Sequence, residues 1–323
     1  MSDAHAIVVL PPGAYGRLGA AGPRRWLSRG RVSFATPDSE VLLSVLSVID
    51  APLPDCGLAP FRFWGQTGER SNSWIAAADP VHFETRLRHL VVRAFIPGEV
   101  PVTELRALFE TLQSELGTDG GCAFARIGPY GYLRGAESVA VPAVSASIAD
   151  GRAPDEFAPS GDRARSYHQL QGELQMLLHE HAVNQRREHD GLRVINSLWF
   201  WGGGVAPERE ERPLATLFAN DPLLAGYWKS CAAATHSWQG DLQHCLSVAA
   251  DDFIAVVPEV DTANGADILV DCLEQLRLQL RRGDLTHATL VFRDGLTVEI
   301  SRRDLVKFWR GISPMLKEHD SDE

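Results

Sequence analysis

The stretch from His179 to Gly204 reads HEHAVNQRREHDGLRVINSLWFWGGG. It closes a helix, turns at Gly191, continues as an apolar strand over Val194–Trp201 and ends in three glycines. The helix it closes is predicted over about residues 162–189. Leu170, Leu174, Leu177, His181 and Asn184 follow one another at steps of three and four, so an apolar stripe turns polar near the helix end. His181, Asn184 and Glu188 then share a face, with Arg187 beside them. An imidazole, an amide and a guanidinium gathered at a helix C-terminus suit an anionic ligand. They also suit helix capping and a domain-interface network. His179 and His181 are two residues apart and point about 200° apart on a helix, so they do not make a metal pair. Gly202, Gly203 and Gly204 follow a strand but lead into neither G-K-[ST] nor G-x-G-x-x-G, so no P-loop or dinucleotide site is expected. They either let a backbone approach a ligand or turn the chain.

On the N-terminal side, HAIVVL (residues 5–10) is a buried strand leaving through Pro11–Pro12–Gly13. A helix over Glu40–Ile49 is introduced by Asp38 and Ser39, either of which can cap it. Residues 51–73, rich in Pro, Gly, Arg and aromatics, read as a long ordered loop. Trp74–Ala78 and Leu87–Phe95 are strand-like, and Val102–Leu116 is an amphipathic helix. Cys122–Ile127 and Tyr130–Arg134 form a hairpin around Gly128–Pro129. This compact α+β texture ends in a connection over residues 146–165. Beyond the glycines, Phe253–Val257 is a buried strand and Ala266–Arg282 a helix. Thr289–Phe292 and Thr297–Ile300 make a hairpin through Asp294–Gly295. Asp304–Ile312 reads as a closing helix. Strands and helices alternate at both ends around an α+β middle. The expected organisation is an α/β core in two parts (residues 1–73 and 191–323) with an inserted α+β domain (residues 74–190).

The chain has 323 residues, enough for one large or two ordinary domains. Its net charge of −11 argues against nucleic-acid binding, which usually needs a basic face. No run approaches the roughly 20 apolar residues that span a bilayer, and the N-terminus lacks a basic signal-peptide region. The expectation is a cytoplasmic protein without a membrane or nucleic-acid partner. Five scattered cysteines without a C-x-x-C pair suggest reduced thiols. The acidic surplus raises the question of metal sites, but the acids gather in loops and solvated runs such as Glu208–Glu211 and Glu318–Glu323.

One longer pattern links His181, Val183–Asn184, Arg187, Gly191, Asn196, Gly202 and Gly204: H-x-V-N-x-x-R-x-x-x-G-x-x-x-x-N-x-x-x-x-x-G-x-G. It resembles the segment that returns from the inserted domain to the core in archaeal-type cofactor-independent phosphoglycerate mutases. Together with Asp79–Pro80–Val81–His82, it resembles a bacterial group related to them. The resemblance implies an alkaline-phosphatase-like α/β core with an insertion. It also implies phosphoryl transfer through a transiently phosphorylated serine between two metal ions. Ser39, in P-D-S-E-V-L-L-S-V-L, is the best match to that serine, and helix capping is its other reading. Asp261 is the match for a metal ligand. His181, Asn184, Arg187, Asn196 and Gly202–Gly204 would contact a small phosphorylated or carboxylate ligand.

The core departs from the resembled pattern. The first strand runs into Pro11–Pro12–Gly13 where the family has Asp-Gly. The segment after Phe253–Val257 keeps Asp261 but not its histidine. Arg293–Asp294–Gly295 stands where an Asp-His-Ser-Thr run is expected. Two divalent cations need several converging O and N ligands. His236 and His244, eight residues apart, do not replace them. The expectation is therefore a mutase-like protein that is degenerate and non-catalytic, needs no cofactor, and acts by binding a small anion or a protein partner. The alternative is an active mutase or phosphohydrolase with Ser39 as nucleophile and Mn, Zn or Mg as cofactor.

Overall fold

The computed structural model describes residues 4–14, 17–19, 21–35, 40–87, 89–117, 121–135, 138–161, 164–249, 251–258 and 265–317. The backbone divides into two compact units. One is made of Met1–Ala51 and Arg209–Glu323, the other of Pro52–Glu208. The second unit is thus a continuous stretch interposed in the first. Its edges fall at Pro52 and Glu208, whereas the sequence expectation placed them at residues 74 and 190. The difference arises because Ser197–Gly204 is a strand of the interposed unit's sheet and the helix Ala59–Thr67 packs on that sheet.

The first arm of unit one contains β1 (His5–Leu10), α1 (Ala21–Leu27), β2 (Arg31–Phe34) and α2 (Val41–Val48). After the interposed unit come β8 (Thr216–Phe218), α8 (Pro222–Ser230), β9 (Thr235–His236), α9 (Leu242–Ala249), β10 (Phe253–Val256), α10 (Gly265–Arg282), β11 (His287–Phe292) and β12 (Leu296–Ser301). Numbering within the interposed unit follows the chain between these two sets. The seven strands form one sheet in the order β2-β12-β11-β1-β10-β8-β9. β1 lies parallel between β10 and β11, and the antiparallel β12 and β2 extend one edge. A central parallel strand has helices on both faces and must be apolar throughout, as Ala6, Val8, Val9 and Leu10 are. Val8 and Leu10 share a core cluster with Trp26 of α1 and Leu273, Leu276 and Leu280 of α10. Each of these leucines is fully buried, which contributes roughly 2 kcal/mol apiece.

The interposed unit runs α3 (Ala59–Thr67), β3 (Trp74–Thr85), β4 (Leu90–Ala94), α4 (Val102–Leu116), β5 (Cys122–Ile127), β6 (Tyr130–Gly135), α5 (Ala146–Ala149), α6 (Ala164–His179), α7 (Ala182–His189) and β7 (Ser197–Gly204). β3 is its shared strand: β6 pairs with its first part, β4 with its last, and β7 with Ile75 to Val81. Buried Leu105, Leu108 and Leu112 of α4 pack with Leu174 and Leu178 of α6 on this sheet.

Several expectations are corrected. The loop expected over residues 51–73 holds α3, which starts with Pro60 in its first turn and stops at Gly68 with φ of 79°. Proline is tolerated there because the first helical N–H groups have no intrahelical acceptor. The single helix expected over residues 162–189 is two helices. His181 has extended φ/ψ of −69° and 134°, and its Nδ1 accepts from Val183 N, so it caps α7 instead of sharing a face with Asn184. The closing helix is only a short 3-10 turn over Arg302–Val306, set by the Asp304 carboxylate accepting from Ser301 N and Oγ. Among the described residues, no helix is long and apolar enough to cross a membrane.

The glycine run closes against the loop before α3. A Cβ on Gly57 would run into the carbonyl oxygens of Gly202 and Gly203, and one on Gly203 into the Trp74 ring. Gly57→Ala is therefore expected to cost about 2 kcal/mol by overpacking backbone against backbone. Urea unfolding measures this, and an unchanged midpoint would contradict the close approach.

Candidate functional site

In open α/β sheets, ligands bind beyond the carboxyl ends of the parallel strands. Here β1 and β11 end side by side, Leu10 opposite Phe292. The turn after β11 places the Asp294 carboxylate over the exit of β1. Its Oδ2 accepts from the backbone N–H of Gly13 at 2.8 Å and of Ala14 at 2.7 Å, and Arg17 Nη1 lies 3.5 Å away. Two successive N–H groups aimed at one point form an anion cradle, and a carboxylate of the chain itself fills this one. Asp294 Oδ1 is buried and has no hydrogen-bond partner among the described residues. The neighbouring Arg293 sends Nη2 to Val257 O at 3.4 Å, at the end of β10, while its Nε is buried without a partner among the described residues.

This donor set does not fit a two-metal centre. Among the described residues, no three His, Cys, Asp or Glu side chains converge. The ends of β1 and β11 present Pro11, Pro12, one carboxylate already bound to two N–H groups, and a guanidinium. His236 stacks on Phe218 at 5.2 Å between centroids, and His244 meets the same ring edge-on at 6.2 Å. Ser39 and Asp261, the sequence candidates for nucleophile and metal ligand, lie outside the described residues.

The other sequence candidates belong to the interposed unit, where their polar atoms bond to that unit's own backbone and side chains. Asn184 is buried. Its Nδ2 donates to Leu178 O and Ile195 O, both at 2.7 Å, and its Oδ1 accepts from Ile195 N at 2.9 Å. Arg187, also buried, donates from Nε to Arg193 O and from Nη1 to Glu104 Oε2, both at 2.7 Å. Asn196 donates to Phe83 O and accepts from Phe83 N, so its amide extends the β7 side of the β3 ladder by one position. His181 Nε2 meets Thr111 Oγ1 at 3.0 Å, tying α7 to α4. Burial lowers the His181 pKa; a hydrogen bond with the Ala107 backbone partly offsets this, and Arg186 adds to it. Gly202 has φ of 62° and donates its N–H to Pro142 O. Gly203 and Gly204 lie against Trp74 and Gly57. The helix-end cluster is thus a hydrogen-bond network within the interposed unit.

Sequence reasoning noted Asp79 but missed its partner. Arg62 of α3 donates from Nη1 to both Asp79 oxygens at 2.8 and 2.9 Å, and from Nη2 to Gly131 O at 2.9 Å. Trp201 Nε1 donates to the same carboxylate at 2.6 Å. The guanidinium carbon lies 4.9 Å from the Tyr130 and Tyr132 ring centroids and 5.3 Å from that of Trp201. Burial opposes the charge on Arg62, but Asp79 outweighs it and the net pKa shift is upward. Burial pushes the Tyr132 phenol up to about 12, with Arg62 acting against the shift. The sequence signal for this pair was a lone arginine among aromatics, Phe61–Arg62–Phe63–Trp64.

No family model matches the chain. Two proteins described as 2,3-bisphosphoglycerate-independent phosphoglycerate mutases are similar to it. The one from Methanosarcina mazei is 29% identical over 140 residues and the one from Methanosarcina barkeri 30% over 141. Each match takes in 41% of this chain and 34% of the relative, so the matched stretch spans about a third of those proteins' length. A solved structure from Pyrococcus horikoshii shares the fold, with a TM-score of 0.54 at 13% identity over 93% of this chain and 88% of the other. A cofactor-independent phosphoglycerate mutase from Thermoplasma acidophilum gives a TM-score of 0.44 at 15% identity, over 93% of this chain and 90% of that one. The fold class is α/β, as the sequence predicts, and the Pyrococcus horikoshii structure shares the fold.

Two tests follow from the buried pair. Arg62→Met strands the Asp79 carboxylate and is expected to destabilise the chain by about 3 kcal/mol in urea unfolding; a loss no larger than that of an exposed Arg→Met control would refute its bridging role. Tyr132 keeps its proton in the folded state up to about 12, whereas the unfolded state loses it near pH 10. Its stabilising contribution is full below that lower value and is lost as pH rises through the upper one. Ultraviolet titration of tyrosinate in wild type and Tyr132→Phe should show one late-titrating phenol fewer in the variant.

Proposed function

We propose that this chain is a phosphoglycerate-mutase-like protein that does not transfer phosphoryl groups and acts by binding. The observation that carries this reading is the Asp294 carboxylate held on the N–H groups of Gly13 and Ala14. A phosphoryl group in transit needs cations and donors focused on its oxygens. At the exit of β1 the donors point at an internal carboxylate, whose negative charge opposes the approach of a phosphate. Arg293 supplies positive charge where a divalent cation would need a ligand. The similarity to 2,3-bisphosphoglycerate-independent phosphoglycerate mutases supports a common fold, and these local features support the loss of the chemistry. In this reading a small phosphorylated or carboxylate ligand reaches the cradle only by displacing Asp294.

The direct test is interconversion of 3- and 2-phosphoglycerate, assayed with Mn, Zn and Mg in turn. The expected rate is that of buffer alone, and a metal-dependent rate abolished by Ser39→Ala would overturn the proposal. A second measurement addresses the self-filled cradle. In Asp294→Ala the two N–H groups are unpaired, so inorganic phosphate should raise the melting temperature of the variant by about 2 °C or more while leaving wild type unmoved. An equal rise in both proteins would mean that Asp294 does not occupy the anion position.

A further inference from the structure

The amino ends of the strands in unit one carry a second feature. Residues 24–31 contain four arginines (Arg24, Arg25, Arg29, Arg31) and no acid. Residues 302–310 add Arg302, Arg303, Lys307 and Arg310 against the single acid Asp304. This concentration stands out in a chain of net charge −11.

The structure joins the two stretches. Arg29 Nη1 donates to Leu305 O, and Arg310 Nη1 donates to Arg29 O at 2.9 Å and Gly30 O at 2.8 Å. Ser313 N donates to Ser28 Oγ at 3.0 Å. Arg310 thereby satisfies carbonyls just past the end of α1, a favourable place for a cation. The register His287–Ser301 puts this surface at the start of β11, whereas Asp294 follows the end of that strand.

The segment after β12 has apolar residues to anchor itself: Leu305, Ile312, Met315 and Leu316 pack on the core. Three others do not join them. Val306 is 66% exposed, Phe308 79% and Trp309 70%. Phe308 and Trp309 meet edge-on at 5.3 Å. A groove of about 330 Å³ is lined by Arg31, His287, Lys307 and Arg310 and by two acids, Glu299 lying 3.9 Å from Arg31 and Asp304 pairing with Lys307. Arg25 and Arg303 are exposed.

We infer that this basic, aromatic surface docks a short acidic peptide segment carrying an apolar side chain. Charge complementarity selects the acid, and the exposed aromatics supply the kind of anchor that dominates interfaces. The rest of the chain selects a short segment over an extended polyanion. A membrane or a long nucleic acid would also meet the acidic remainder, whereas a peptide held within a Debye length of about 8 Å meets mainly the basic surface. The inference goes beyond the proposed loss of catalysis and does not depend on it.

The test uses the full chain and a fluorescein-labelled synthetic peptide of Glu and Asp around one Phe, read by anisotropy. Saturable binding is expected, weakening about tenfold or more when Gln and Asn replace the acids or when salt is raised well above physiological strength. Phe308→Ser with Trp309→Ser, and separately Arg25→Glu with Arg303→Glu, should each weaken it about fivefold or more while circular dichroism stays that of wild type. No binding at low salt, or binding indifferent to both pairs of substitutions, would overturn the inference. Tighter binding to phosphatidylserine vesicles or to a single-stranded oligonucleotide than to the peptide would overturn it as well.

Discussion

A guanidinium removed from water must keep its charge compensated, and the interposed unit is arranged around that requirement. Arg62 comes from α3, Asp79 from β3, Trp201 from β7, and Gly131 and Tyr132 from β6. Removing α3 or β3 would leave a charge unpaired, and removing β6 would leave the Nη2 of Arg62 without its acceptor. Such a pair is a weak source of net stability, because desolvating both ions offsets most of their attraction. It does penalise wrong arrangements, since few other placements of α3 satisfy both Nη atoms together. The three surrounding rings add attraction through their faces and exclude water.

The same logic governs the segment that first drew attention. Asn184 fastens the start of α7 to Leu178 and Ile195, Arg187 binds the Arg193 carbonyl and Glu104, and Asn196 offers Phe83 the donor and acceptor that another strand residue would offer. Polar residues in such roles are as position-specific as catalytic ones. Similarity through them transmits a fold, while chemistry resides in groups that face a ligand.

Much of the fold was legible in the sequence because it rests on periodicity. HAIVVL, the Asp294–Gly295 hairpin and the amphipathic Val102–Leu116 helix each carry a strong local signal. The misses share a cause: tertiary partners decided the outcome. The break at His181 depends on a ring nitrogen accepting from Val183 and on Thr111, far away in sequence. Helix α3 hides behind Pro60 and Gly65. The short strands β8 and β9 are too brief to show alternation; β8 forms beside β10, and β9 beside β8. For the candidate site, Pro11–Pro12–Gly13 and Arg293 at the strand ends could be read directly. That Asp294 would occupy the Gly13–Ala14 N–H pair could not, because 280 residues separate donor and acceptor.

The division of the chain has a consequence for the order in which it folds. The interposed unit is uninterrupted, so it can complete its sheet once β7 has left the ribosome. Unit one cannot. Its central strand β1 has both neighbours, β10 and β11, near the far end of the chain. Until those emerge, the apolar faces of β1 stay unpaired, a nascent hazard for strand-to-strand association. Folding the interposed unit first brings Gly57 against Gly204, which shortens the loop that β1 must close.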